Sequence, residues 1–187
     1  MRDAERVLDD YFVIAGQAGD QRALAALFRR WNKKLIAHGW RLTGDADMAR
    51  EAAQEAWIDI VRGIATLQDA RAFSAWAYRI VTRRCAKQIQ AVRARRKFTA
   101  DAANEPPSQA TDEGLDADAA NLRTAISGLA PDHRATVALF YFEEMSVAEV
   151  AVALDVPAGT VKTRLMHARN KLREILKGEP TCVTSNG

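Results

Sequence analysis

Between Asp101 and Ala120 the chain carries a single large apolar side chain, Leu115, and that stretch limits what the remainder can build. It holds six carboxylates and no basic residue, and it includes Asn104-Glu105-Pro106-Pro107-Ser108. A segment so poor in apolar surface cannot offset the entropy of ordering its backbone, so it reads as a flexible acidic linker. The chain therefore divides into two domains, residues 1–97 and 121–178, with the linker at 98–120 and a disordered tail at 179–187. The formal net charge of +3 hides this division. Residues 1–100 hold 19 basic and 11 acidic side chains, and residues 121–187 hold 8 and 7.

The apolar pattern on both sides of the strip is helical. Gly19-Asp20 offers a cap, after which Leu24, Leu27, Phe28, Trp31 and Leu35 recur on one helix face. A shorter amphipathic helix carrying Val7, Tyr11 and Ile14 precedes it. Gly44-Asp45 opens a helix with Met48, Ala52, Ala56 and Ile60 in one stripe, and Asp47, Glu51, Gln54 and Glu55 off it. A third helix runs from near Ala70 to about Arg96, with Phe73, Trp76, Ala77 and Ile80 inward and Tyr78 off the stripe and exposed. Beyond the linker, Leu122, Ile126 and Leu129 mark a short helix, and Pro131 suits the first turn of the next, which carries Val137, Ala138 and Tyr141. Ser146-Val147-Ala148-Glu149 is a capping box opening a helix through Leu154. After Asp155-Val156-Pro157, a last helix puts Val161, Leu165, Ala168, Leu172 and Ile175 on one face. The fold class is all-α: an N-terminal helix bundle and a C-terminal helix-turn-helix.

Two constellations suit nucleic acid. The last helix turns Thr160, Thr163, Arg164, His167 and Lys171 away from its apolar stripe, and residues 158–177 hold six basic side chains against one acidic. Such side chains reach base edges and phosphates in a major groove. Residues 71–97 hold nine basic side chains and no acidic one, with Arg79, Arg83 and Lys87 at four-residue steps. A row of that kind suits phosphate contact. Phe73 and Trp76 lie on the apolar stripe, so core packing suits them better than base stacking.

Other chemistry finds little support. Cys85 and Cys182 are too few for a disulfide framework or a zinc site, and they favour a reducing compartment. Cys85 lies among basic residues, yet with no neighbouring Cys or His it reads as an ordinary helix residue. His38, His133 and His167 are scattered and form no metal set. No nucleophile-base or phosphate-loop spacing is present, so we expect no enzyme, no cofactor and no small-molecule substrate. Met1 to Asp10 lacks a signal-like apolar run and no segment approaches a membrane span, so a soluble cytoplasmic protein without membrane insertion is expected.

The segments Glu149-Val150-Ala151, Leu154, Val156-Pro157, Gly159-Thr160-Val161-Lys162, Arg164-Leu165, Ala168-Arg169 and Leu172 resemble the carboxy-terminal domain of bacterial extracytoplasmic-function sigma factors. Asp47 through Trp57 resembles the core-binding helix of that family, and Phe73 through Ile80 its next conserved stretch. The resemblance covers about residues 15–97 and 121–176. It implies a subunit that binds RNA polymerase core and directs initiation at promoters with minus-10 and minus-35 elements. Asp47, Glu51, Gln54 and Glu55 would meet the clamp helices of the β′ subunit. Arg71, Tyr78, Arg79, Arg83, Arg84 and Lys87 would face the minus-10 element, and the loop Thr66–Ala72 would capture an unstacked base. Thr160, Lys162, Thr163, Arg164, Met166, His167 and Lys171 would face the minus-35 element, in a domain that docks on the β flap. An anti-sigma factor is a further expected partner.

The sequence departs from the family pattern at Arg83 and Lys87, where Asn and Asp are common, at Ala77 in place of the usual Leu, and at the small Ala53 and Ala56. Two alternatives remain at this level. One is a sigma-like decoy that binds an anti-sigma factor but no promoter, and the other a stand-alone helix-turn-helix regulator.

Overall fold

Local chemistry sets most of the helix ends. The computed structural model describes residues 2–98 and 117–177, and its regular elements there are helical. They are α1 (Arg2–Gln17), α2 (Gln21–Thr43), α3 (Ala46–Gly63), α4 (Phe73–Phe98), α5 (Ala117–Ser127), α6 (Pro131–Val137), α7 (Val147–Leu154) and α8 (Ala158–Lys177). Asp20 caps α2 by accepting from the amides of Arg22 and Ala23 at 2.8 and 3.3 Å. Gly44 ends that helix at φ 72°, in the left-handed region open to glycine, with its amide donating to the Trp40 carbonyl at 2.8 Å. Asp45 then accepts from the amides of Asp47 and Met48 to start α3. Ser146 and Glu149 form the expected reciprocal capping box at α7. Residues 99–116 of the stretch read above as a flexible linker, and the tail 179–187 together with residue 178, lie outside the described residues. Helix enters the range 98–120 from both sides, since α4 reaches Phe98 and α5 begins at Ala117.

The first four helices pack around Trp31. The Phe73 ring meets it edge-on at 5.2 Å between centroids, and Tyr78 approaches it at 5.7 Å. Leu27, Leu35, Ile60, Phe73 and Val81 are fully buried around this centre, each contributing roughly 1.5–3 kcal/mol by leaving water. α3 turns Ala49, Ala52, Ala53 and Ala56 inward, all completely buried. Opposite them stands Gly39 of α2, where a Cβ would sit 3.3 Å from the Ala49 Cα. The small residues of α3 are what let α2 and α3 approach so closely.

Three apolar expectations are corrected. Val7, Tyr11 and Ile14 are 66, 61 and 59% exposed, and α1 instead buries Asp9, Val13 and Gly16. Tertiary partners decide this: Asp9 accepts from the Arg30 Nε at 2.6 Å, and Gly16 faces Leu24 so closely that a Cβ would lie 2.6 Å from it. Phe28 is also half-exposed, lying against the Trp57 ring at 5.0 Å. In the second domain Leu122, Tyr141 and Ile175 are exposed. A π-helical turn at Ala138–Phe142 follows α6, and its extra residue rotates the phase so that Leu139 points inward and Tyr141 outward.

The second domain has a small core of its own, Leu129, Val137 and Ala168 backed by Leu172. Other buried side chains of this domain, among them Leu139, Met145, Val150, Val161 and Leu165, join one continuous cluster with those of the first domain. α7 packs along α4 and provides this connection.

Candidate nucleic-acid interface

The fully buried stripe of α8, Val161, Leu165 and Ala168, fixes which residues face out. Lys162, Thr163, Met166 and His167 are exposed in a row on the opposite side, and Thr160 is partly covered at the helix start. Thr163 donates to the Gly159 carbonyl at 3.1 Å, and the His167 ring stacks on His133 at 6.0 Å. Arg164 and Lys171 behave differently. The Arg164 guanidinium is held by Asp132 at 2.5 Å, tying α8 to α6, and Lys171 lies 3.6 Å from Glu174 on the same helix.

On α4 the basic residues split over several faces. Lys87 is exposed, and Arg71, just before the helix, is paired with Asp69 at 3.1 Å. Arg79 and Arg83 both reach Asp155, at 2.5 and 3.2 Å, in the turn between α7 and α8. Arg84 points toward α3, where it donates to Asp59 at 2.7 Å and to Glu55 at 3.2 Å. Glu55 is thus already engaged, whereas Glu51 and Gln54 are exposed along α3, as is Asp47, which pairs with Arg50 one turn on. The Thr66–Ala72 loop is anchored at its stem by Gln17, which donates to the carbonyls of Ile64 and Leu67 at 2.9 and 2.7 Å.

Tyr78 is the main correction. Expected off the stripe and exposed, it is 3% exposed, and its hydroxyl donates to Glu143 of the second domain. Burial, followed by the neighbouring carboxylate, pushes its phenol far above the usual range. Arg41 donates to the same carboxylate at 2.7 Å, and burial raises the Glu143 carboxyl above its ordinary value. His38 completes the cluster. It is fully buried, shares a 2.9 Å hydrogen bond with Thr82, lies 3.9 Å from Glu143, and is lowered to about 3, first by burial and then by Arg41. Cys85 is the packed helix residue expected, with burial pushing its thiol up to about 12. Sequence reasoning missed Arg41, Asp59, Glu143 and Asp155, because isolated charges carry no pattern that distinguishes a buried or bridging role from a solvated one.

A cleft of about 640 Å³ opens beside Glu143 between the domains. Its walls bring six carboxylates and three cations, so its charge has the wrong sign for a nucleic-acid backbone. The basic rows on α4 and α8 remain the surfaces suited to DNA.

Comparison with known proteins gives these surfaces a family. Residues 27–98 match the model of sigma-70 region 2, and residues 119–172 that of sigma-70 region 4. The chain is 30% identical over 171 residues to the ECF RNA polymerase sigma factor SigW of Bacillus subtilis, covering 85% of this chain and 91% of that one. The chain belongs to the extracytoplasmic-function sigma factors. The sigma factor is also 28% identical to the RNA polymerase sigma-H factor of Pseudomonas aeruginosa, over 90% of its own length and 94% of the relative's. Its fold is shared with solved structures at 20% identity. CnrH, in complex with the cytosolic domain of CnrY, gives a TM-score of 0.70 over 92% of this chain and 99% of that one. RpoE of Bartonella quintana, in complex with the anti-sigma factor NepR, gives 0.69 over 82% and 96%. As a member of this family the sigma factor is a regulator of transcription initiation, with a DNA-binding helix-turn-helix in region 4. Among the described residues no helix is long and apolar enough to cross a membrane.

Proposed function

We propose that this sigma factor is a dissociable, non-catalytic, cytoplasmic subunit whose two domains divide polymerase and promoter between them. Residues 1–97 bind the β′ clamp helices through Asp47, Glu51 and Gln54, and meet the minus-10 element through Arg71, Arg79, Arg83 and Lys87. Residues 121–178 read the minus-35 element with Lys162, Thr163, Met166 and His167 and dock on the β flap. Arg164 and Lys171 flank that row, Arg84 and Glu55 join α4 to α3, and Tyr78 acts through the packing of α4 rather than by touching DNA. The observation that carries this reading is the α8 face. Its buried stripe forces four adjacent side chains outward on the second helix of a helix-turn-helix. An anti-sigma factor is the expected inhibitory partner, as in the complex solved for RpoE.

Transcription in vitro tests the reading. Core polymerase supplemented with the protein should initiate at a cognate promoter. Glu51→Lys should weaken core binding and leave DNA binding by α8 intact. Lys162→Ala with His167→Ala should impair minus-35 recognition by ~1–3 kcal/mol per lost base contact without affecting core binding. Wild-type behaviour of both variants would refute the residue assignment.

A further inference from the structure

The first turn of α6 holds two side chains of α8. Asp132 accepts from the Arg164 guanidinium at 2.5 Å, and the His133 ring stacks on the His167 ring, with centroids 6.0 Å apart and planes 22° from parallel. Asp132 and His133 are neighbours on α6, and Arg164 and His167 lie one turn apart on α8, so the two contacts form one patch between the helices. The backbones beneath the rings are fixed. Val137 stands one turn after His133 and Ala168 follows His167, and both are buried in the small core of this domain with Leu129. The stack therefore joins two side chains whose Cα positions are set by packing.

The two rings differ in what they can reach. His167 is exposed in the outward row of α8, whereas His133 is partly covered and belongs to the helix that precedes the α7–α8 pair. An exposed ring on a helix exchanges among rotamers, and fixing one of them when DNA binds costs affinity. A flat partner on one face of the ring meets that cost before DNA arrives. Stacking uses the ring face and leaves the edge, where both nitrogens lie, for hydrogen bonds to a base.

We propose that His133 is a positioning residue for promoter reading: stacked on His167, it holds that ring in one orientation on the minus-35 face and sharpens the choice of base there. Asp132, through Arg164, pins the same turn of α6 to α8 and keeps the two rings in register. The proposal rests on the reading of α8 given above, in which His167 meets a base; the stack itself does not.

The test uses holoenzyme assembled from core polymerase and the full chain, with a library of duplex DNA randomised over both promoter elements as the probe. Sequencing the bound fraction gives the base preference at each position. His167→Ala should flatten that preference locally within the minus-35 element. His133→Ala should weaken it at the same place by about two- to tenfold, the range of an aromatic pair, and leave the other positions unchanged. His133→Phe, which keeps a flat ring and has no ring nitrogen, should retain the wild-type profile. In a His167→Ala background, His133→Ala should add nothing. Thermal melting by circular dichroism accompanies each variant. A wild-type profile for His167→Ala overturns the reading of α8 and the proposal with it. An altered His167→Ala beside a wild-type His133→Ala overturns the positioning role alone. So does a loss that persists in the absence of His167, or one that His133→Phe does not repair, since His133 would then touch DNA itself. A profile flattened at every position together with a lowered melting temperature marks His133 as a structural residue and overturns the role as well.

Discussion

Replacing Gly39 by alanine sets two effects of similar size against each other, and the structure decides between them. Alanine is favoured over glycine within a helix by about 1 kcal/mol, and α2 runs through this position without interruption. Against this, the new Cβ would lie 3.3 Å from the Ala49 Cα and 3.4 Å from both its Cβ and its carbonyl oxygen. Those atoms belong to the backbone and the first side-chain carbon of α3, so no rotamer change can relieve the contact and the helix must shift as a body. Overpacking of this kind costs about 1–3 kcal/mol. The net expectation is a loss of ~1 kcal/mol, or about 2–4 °C in melting temperature for a chain of this size. Gly159→Ala is the matching control, because nothing lies within 4 Å of its Cβ position, and it should be neutral or stabilising by up to about 1 kcal/mol. Thermal melts of both variants by circular dichroism provide the comparison. If Gly39→Ala gained as much stability as Gly159→Ala, the close approach of α2 and α3 would not constrain the fold and the account of the alanine-rich face of α3 would be wrong.

Acid should weaken the fold through His38. Its folded value of about 3 lies below the ordinary 6.5, so its contribution is complete above pH 6.5 and is lost as the pH falls toward 3, at up to ~1.4 kcal/mol per pH unit. Glu143 acts in the opposite sense, since a raised carboxyl costs stability as the pH rises through its window. Urea midpoints at successive pH values should therefore fall more steeply for Glu143→Gln than for wild type and flatten for His38→Gln; equal slopes for all three would remove His38 as the source. In a Cys182→Ser background Cys85 should stay unmodified by a thiol reagent at pH 8 until the protein is unfolded, and rapid labelling of the native protein would contradict its burial.

The elements legible in the sequence are those set by neighbours along the chain. Asp20, Gly44-Asp45, Pro131 and the Ser146–Glu149 box each act within one turn, and each helix starts or stops where they indicate. The α8 face was legible for the same reason, since its period is uninterrupted from Val161 to Ala168. The failures arise where a distant partner overrides the local pattern. α1 turns its apolar residues outward because Arg30 claims Asp9 and Leu24 fills the space left by Gly16. Tyr78 is buried among Trp31, His38 and Glu143, and nothing within one turn of Tyr78 signals a carboxylate arriving from position 143. The π turn at Ala138–Phe142 shifts the helical phase by one residue, which defeats any reading of Tyr141 from spacing alone.

The packing of α7 on α4 is made within a single chain, and this separates it from a contact between two proteins. Dilution does not loosen it, and neither does making more copies of the chain. Abundance alone therefore cannot titrate this contact away. A ligand can disturb it only by preferring a chain in which the two helices are apart, and by no more than the difference in its affinity for the two arrangements.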